Sequence, residues 1–174
     1  MGMNSTKHLA LGGLLIALVA VATMSIKVPM PATGGYIHPG DSIIYLVAIL
    51  FGGKYALLAG GIGSALADML SGYGQWAVPT LIIKGIEGYI IAKIASRKLT
   101  DIKLRVRDII AVLVGALWMV GGYYLAEAIM VKSFIVPVAN ISWNLTQALG
   151  GAVIAIPLIF ALLKTNIVEL SKGK

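Results

Sequence analysis

Apolar positions along this chain come in long runs rather than at helical spacing, and polar residues gather in short interruptions between them. A helix needs about 20 largely apolar residues to cross the hydrocarbon core of a bilayer. The first run, about Leu9 to Val28, is stopped by Pro29 and Pro31. It is too long for the apolar region of a signal peptide and other runs follow it, so it predicts a retained transmembrane helix. A polar loop, Met30 to Asp41 (MPATGGYIHPGD), leads to a short second run at about Ser42 to Phe51. Beyond Lys54, a glycine-rich third run covers about Tyr55 to Leu70, and Ser71 to Trp76 (SGYGQW) predicts a turn. The fourth run extends from Pro79 to about Ser96, the fifth from about Ile109 to Met130, and the sixth, past Pro137, from about Ser142 to Leu163. Between the fourth and fifth, Arg97 to Asp108 (RKLTDIKLRVRD) is charged, with apolar Leu99, Ile102, Leu104 and Val106. It predicts an amphipathic cytoplasmic connector lying at the membrane surface. The pattern therefore predicts an all-α integral membrane bundle of six transmembrane helices, a single domain over residues 1–174.

Composition supports this class and removes others. Of 174 residues, 59% are hydrophobic and 12% charged, half the quarter or so typical of soluble domains. Mean hydropathy is +0.92. Six spans would use about 120 positions, which leaves no room for a second, soluble domain. The absence of cysteine excludes disulfides and thiolate chemistry. A net charge of +7, which in a soluble protein would raise the question of nucleic acid, here reads first as a topology signal. With the amino terminus inside, Lys7, Lys54, Lys93, the five basic residues of 97–108, Lys164, Lys172 and Lys174 fall on the inner side. Only Lys27 and Lys132 fall outside. Eleven against two predicts a multi-pass membrane protein with both termini cytoplasmic.

Ionisable groups at bilayer depth are expensive and mark function by default. Asp68, Lys84, Glu87 and Glu127 stand out. In this topology Asp68 lies near the outer end of the third span. Lys84 lies five residues past Pro79, about 8 Å deeper, with Glu87 about a turn beyond. Glu127 is near the outer end of the fifth span, and the sixth begins with Ser142, Trp143, Asn144 and Gln147. Lys84 and Glu87 share a helix face, as do Asn144 and Gln147. These groups predict a polar cavity in the outer half of the bilayer, capped by the loop that carries His38. Trp76, Tyr123, Tyr124 and Trp143 would flank it, an aromatic wall with a few convergent polar groups. A plainer reading stands beside this one: Lys84 and Glu87 pair structurally, and Asp68 and Glu127 meet water.

Small residues are the second signal. Gly13 and Ala17 are four apart on the first span, with Ala20 close by, and such spacing allows close helix approach within the bundle or against a partner. Neither a GxxxxGK[ST] nucleotide loop nor an HExxH motif occurs, and His8 and His38 fall on opposite sides of the membrane. No metal, cofactor or catalytic group is expected, and His38 beside Pro39 reads as a loop hydrogen-bonding residue. Two glycosylation sequons, at Asn140 and Asn144, carry little weight in or near a span.

The block GGYIHPGDSIIYLVAILFGGKYALLAGGIGSALADMLSGY, followed by PTLIIKGIEGYI, resembles the substrate-binding S components of energy-coupling factor (ECF) vitamin transporters. The branch it is most similar to is the riboflavin-transporter-like one that includes hydroxymethylpyrimidine and pyridoxine S components. The GD step, the glycine-rich third span ending in Ala67-Asp68, and Lys84-Gly85 carry the resemblance. It implies a non-enzymatic subunit that binds a vitamin or precursor and docks on a transmembrane T component with two cytoplasmic ATPases. It also implies an Ala-x-x-x-Ala docking motif on the first helix, for which the nearest match is Gly13-x-x-x-Ala17 with Ala20 a turn on. The ligand would be held by the loop after the first helix and by the outer halves of the fourth to sixth. That gives His38, Lys84, Glu87, Tyr123, Glu127, Trp143, Asn144 and Gln147 as candidate substrate-binding residues. Pyridoxine or hydroxymethylpyrimidine is the expected ligand type, with riboflavin and pantothenate as alternatives. Two other classes remain: a proton-coupled carrier using Asp68, Glu87 or Glu127, for which six spans without an internal repeat are few, and a membrane enzyme, which would need a clustered acid–base pair.

Overall fold

The computed structural model describes residues 5–32, 34–96 and 103–165. Its first helix, α1 (Ser5–Ser25), ends earlier than expected, because Val28–Met30 (β1) leaves the helix and pairs antiparallel with Gly35–Ile37 (β2). The register sets Val28 against Ile37, Pro29 against Tyr36 and Met30 against Gly35. Proline lacks a backbone donor and is tolerated only at a sheet edge. A two-stranded ribbon consists of nothing but edges, so Pro29 fits. The polar loop predicted at residues 30–41 is thus largely a β-hairpin leading into a helix.

That helix, α2 (Gly40–Phe51), starts two residues before the expected position, and Gly40 and Asp41 form its first turn. At 12 residues it rises only about 18 Å, short of the roughly 30 Å hydrocarbon core. It is apolar on all sides, as a helix enclosed by protein should be. Ile44, Tyr45 and Val47 are wholly buried, and α2 packs against α1, α5 and α7. Gly52 ends it with φ +89°, a conformation that needs glycine.

The third hydrophobic run is not a uniform helix. It comprises α3 (Gly53–Leu58), a π-helical turn (Ala59–Gly63) and α4 (Ser64–Leu70). A 3₁₀ turn at Gly74–Trp76 then leads into α5 (Ala77–Ala95), whose first turn accommodates Pro79. The last two helices are α6 (Val106–Val131) and α7 (Val138–Leu163). Each begins three or four residues earlier than expected, and α7 carries an internal Pro157. The connector expected at 97–108 falls outside the described residues from 97 to 102. Its far end, Val106–Asp108, is the first turn of α6 rather than surface helix. There Asp108 accepts the Arg105 backbone N–H at 2.9 Å, and the Arg105 guanidinium reaches the Ala95 carbonyl that ends α5. Lys172 and Lys174 also lie outside the described residues.

Among the described residues, α1, α6 and α7 are long and apolar enough to cross a membrane, each with a mean hydropathy of 2.0. The protein is an all-α, multi-pass membrane protein. The glycines of the π-helical turn let it lie directly on its neighbours. A Cβ at Gly60 would stand 2.6 Å from the Lys84 carbonyl oxygen of α5. Gly60→Ala should therefore lower stability by about 1–3 kcal/mol through overpacking. Gly121→Ala, with nothing within 4 Å, should leave it unchanged or slightly raised. Thermal unfolding in detergent, followed by tryptophan fluorescence, measures both, and equal shifts would contradict the close approach at Gly60.

Candidate ligand cleft

One end of the bundle gathers the hairpin, the start of α2, the end of α4, the starts of α5 and α7, and the end of α6. Beneath the surface there, the Lys84 ammonium on α5 lies 2.5 Å from Asp41 Oδ1 on α2 and 3.0 Å from Glu87 Oε2 on its own helix. All three side chains are fully buried. The ammonium also sits 5.6 Å from the centroid of the Tyr123 ring on α6, a cation–π distance. Gln147 of α7 donates from Nε2 to the other Asp41 oxygen at 3.1 Å and accepts the His38 backbone N–H at 2.9 Å. One buried cluster thus joins α2, α5, α6, α7 and the exit of the hairpin.

Above the cluster a cleft opens. Met30, Gly35, Tyr36 and His38 of the hairpin segment line one part, and Asp68, Trp76 and Thr80 another. Tyr123, Glu127, Asn144 and Gln147 complete the wall from α6 and α7. The Tyr36 hydroxyl donates to Asp68 Oδ1 at 2.7 Å, and its ring packs on Tyr73 (4.4 Å between centroids) and His38 (5.3 Å). Burial, reinforced by the charge of Asp68 and this hydrogen bond, pushes the Tyr36 phenol well above its ordinary range. It remains a donor. Tyr123 donates to Thr80 Oγ1 at 3.1 Å and meets Trp76 edge-on at 6.2 Å. Asn140 donates to Glu127 Oε2 at 3.1 Å. Three buried polar atoms of the wall, Asp68 Oδ2, Trp76 Nε1 and Glu127 Oε1, have no close hydrogen bond from the protein, with Thr80 beside the Asp68 carboxyl and Asn144 beside that of Glu127.

Of the candidate residues, His38, Tyr123, Glu127, Asn144 and Gln147 meet in this cleft. Lys84 and Glu87 do not line it; they lie beneath, with the Lys84 ammonium between Glu87 and Asp41. Trp143 stands outside the cleft on α7, 37% exposed, and Tyr124 instead donates to the Phe134 carbonyl at 2.9 Å. Asp68 is 3% exposed and lines the cleft rather than meeting open water. Asn140 is a buried helical residue, not a loop acceptor for a glycan. Asp41, Tyr36 and Thr80 were absent from the candidate set. Asp41 had one signal, the GD step that begins α2; nothing local in the sequence marked the other two.

An aromatic, carboxyl-lined cleft at one end of a helical membrane protein is an arrangement that small-molecule sites share. The family model for the ECF-type riboflavin transporter S component matches residues 3–164, and the chain belongs to that family. It is similar to the thiamine precursor transporter HmpT of Lactococcus lactis subsp. cremoris, 30% identical over 89% of this chain and 87% of that protein. A protein of Pyrococcus woesei is 40% identical over 78% of this chain and 88% of its own length. A UPF0397 protein of Streptococcus pneumoniae is 34% identical over 49% of this chain and 46% of its own.

Two outcomes test this geometry. Lys84→Met strands two buried carboxyl groups and should cost about 3–5 kcal/mol of stability in detergent unfolding. A change below about 1 kcal/mol would mean the cluster is not sealed as described. His38 supplies the second. Burial, aided by Lys84 and opposed by Asp41, lowers its imidazole from 6.5 to about 4, and neutral Nδ1 accepts the Gly40 N–H at 3.1 Å. The unfolded chain binds a proton below about 6.5 and the folded chain only near 4, so the contribution is complete above 6.5 and is lost as pH falls toward 4. Unfolding measured across that window should show the slope in wild type and a shallower one in His38→Gln. Identical slopes would sink the assignment.

Proposed function

We propose that the chain is the substrate-binding S component of an ECF-type importer for a single-ring vitamin or vitamin precursor of the hydroxymethylpyrimidine or pyridoxine type. The observation that carries this is the cleft itself. Its lining combines an aromatic wall with a few convergent polar groups, the usual make-up of a small-molecule site. That make-up suits an aromatic ring with small polar substituents. The aromatic wall of Tyr36, Trp76 and Tyr123 is fitted to stack on such a ring. The printed function of HmpT, transport of a thiamine precursor, supports the same class.

In this reading six helical passes cross the bilayer with both termini in the cytoplasm, the third being α3, the π-helical turn and α4 in series, and the cleft opens outward. The chain itself is no enzyme. A transmembrane T component and two cytoplasmic ATPases supply the work, because binding energy alone cannot complete a cycle: a ligand held tightly on one side must be released by energy from elsewhere. The face of α1 that carries Gly13 and Ala17 is exposed, with nothing within 4 Å of a Cβ built at Gly13. That face is open to a partner helix. Ala20, 7% exposed, turns into the bundle.

Reconstitution tests the reading. The chain alone in liposomes should bind hydroxymethylpyrimidine or pyridoxine without accumulating it, even with internal ATP. Adding the T component and both ATPases should produce accumulation, and a catalytically dead ATPase should abolish it. Accumulation by the single chain, driven by a pH gradient, would instead make it a carrier. Glu127→Ala, Asn144→Ala and Gln147→Ala should each weaken binding by about 1–3 kcal/mol, as expected when a buried partner is left unsatisfied. Gly13→Leu or Ala17→Leu should preserve binding but impair uptake, because a large side chain holds helices apart.

A further inference from the structure

Three buried polar atoms of the cleft wall lack a hydrogen bond, and they are not grouped at one place in the fold. Glu127 Oε1 belongs to α6, beside α7, where the other Glu127 oxygen accepts from Asn140. Asp68 Oδ2 and Trp76 Nε1 belong to the end of α4 and the 3₁₀ turn, where the other Asp68 oxygen is held by Tyr36. Asp68, Trp76 and Glu127 are 3%, 4% and 0% exposed, so water does not freely reach what the protein leaves unpaired. Buried polar groups in folded proteins are almost always hydrogen-bonded, so an unpaired one calls for an explanation, and in a cleft wall a bound ligand is one.

The open valences have a definite sign. Two are carboxyl oxygens, which accept, and one is an indole N–H, which donates. No lysine or arginine lines the cleft among the described residues. The nearest ammonium, Lys84, is held below by Asp41 and Glu87. We infer that Asp68 and Trp76 form a second polar pole of the cleft. Together with the Glu127 pole they select a neutral or cationic single-ring ligand with hydrogen-bond donors at two ends and a ring acceptor, and they reject its phosphate monoester. This rests on the single-ring reading above and sharpens it: amine and hydroxyl groups satisfy the two carboxyl groups, and a ring nitrogen accepts from Trp76. A phosphate would bring only acceptors and negative charge to the same walls, and like charges juxtaposed in a site are costly.

The test is calorimetric titration of the purified chain with hydroxymethylpyrimidine, pyridoxine and the monophosphate of each. Wild type should bind at least one free compound and bind its monophosphate on the order of a hundredfold more weakly. Asp68→Asn keeps the shape and the acceptor for Tyr36 but removes the charge, and should narrow that ratio about tenfold. Trp76→Phe keeps an aromatic ring, though a smaller one, and removes the donor. It should weaken the free compound about tenfold and leave the ratio unchanged. Free compound and monophosphate binding alike would overturn the inference alone. So would unchanged free-compound affinity in both variants, each shown to be folded by thermal unfolding. Failure of both free compounds to bind wild type would overturn the single-ring reading and the inference with it.

Discussion

A lysine ammonium with no access to water must be surrounded by its counter-groups, and the position of Lys84 therefore constrains everything near it. Transferring such a charge from water into a protein interior costs several kcal/mol, and only close, well-oriented partners recover that cost. Lys84 draws Asp41 from α2, Glu87 from its own helix and the face of Tyr123 from α6 into one place. Because Asp41 stands in the first turn of α2, the start of that helix is pinned to α5. Because Gln147 bridges Asp41 and the His38 backbone, α7 and the hairpin exit are pinned as well. The hairpin of Val28–Ile37 has only one partner strand and could not hold a position alone. It is fixed over the cleft by His38 at its exit and by Tyr36 on Asp68.

The cluster below and the cleft above differ in one respect that separates architecture from binding. Below, Asp41 accepts from Lys84 and from Gln147, and Glu87 faces the Lys84 ammonium at 3.0 Å. Above, Asp68, Trp76 and Glu127 each keep an atom unpaired. Both sets are buried and polar, and both would look alike in a list of intramembrane ionisable residues. What distinguishes them is a counter-charge: the lower carboxyl groups face Lys84, and no lysine or arginine among the described residues lines the cleft. A wall that is preorganised but unfinished is suited to a ligand that brings the missing donors and acceptor, because the groups are already held in place by Tyr36 and Asn140.

The long apolar runs make the helices legible, and the depth of the polar groups points to the end of the bundle where Glu127, Asn144 and Gln147 line one cleft with His38 of the loop and Tyr123. Less legible was whatever depended on pairing between distant segments. The strands at 28–30 and 35–37 are three residues each, too short for alternation to register. The role of Asp41 depends on Lys84, 43 positions away, which no local pattern reveals. Lys84 and Glu87 were read correctly as sharing a face. Whether that face meets the ligand or Asp41 is decided by where α2 begins, and Gly40 and Asp41 were assigned to the loop. Trp143 was grouped with the site by its neighbours Asn144 and Gln147, yet on a helix adjacent residues point about 100° apart.

The central claim is that the Lys84 cluster holds the cleft in place without touching the ligand. The most direct measurement replaces all three charges with near-isosteric neutral groups, Asp41→Asn, Lys84→Met and Glu87→Gln together, and compares affinity for hydroxymethylpyrimidine and pyridoxine with that of wild type. Neutral replacement of a whole buried ion cluster is often tolerated, unlike removal of one partner. The account predicts a folded triple variant that binds the same compound within about tenfold of wild type, since only the support has changed. A folded triple variant that no longer binds would contradict it and place Lys84 or Glu87 in contact with the ligand.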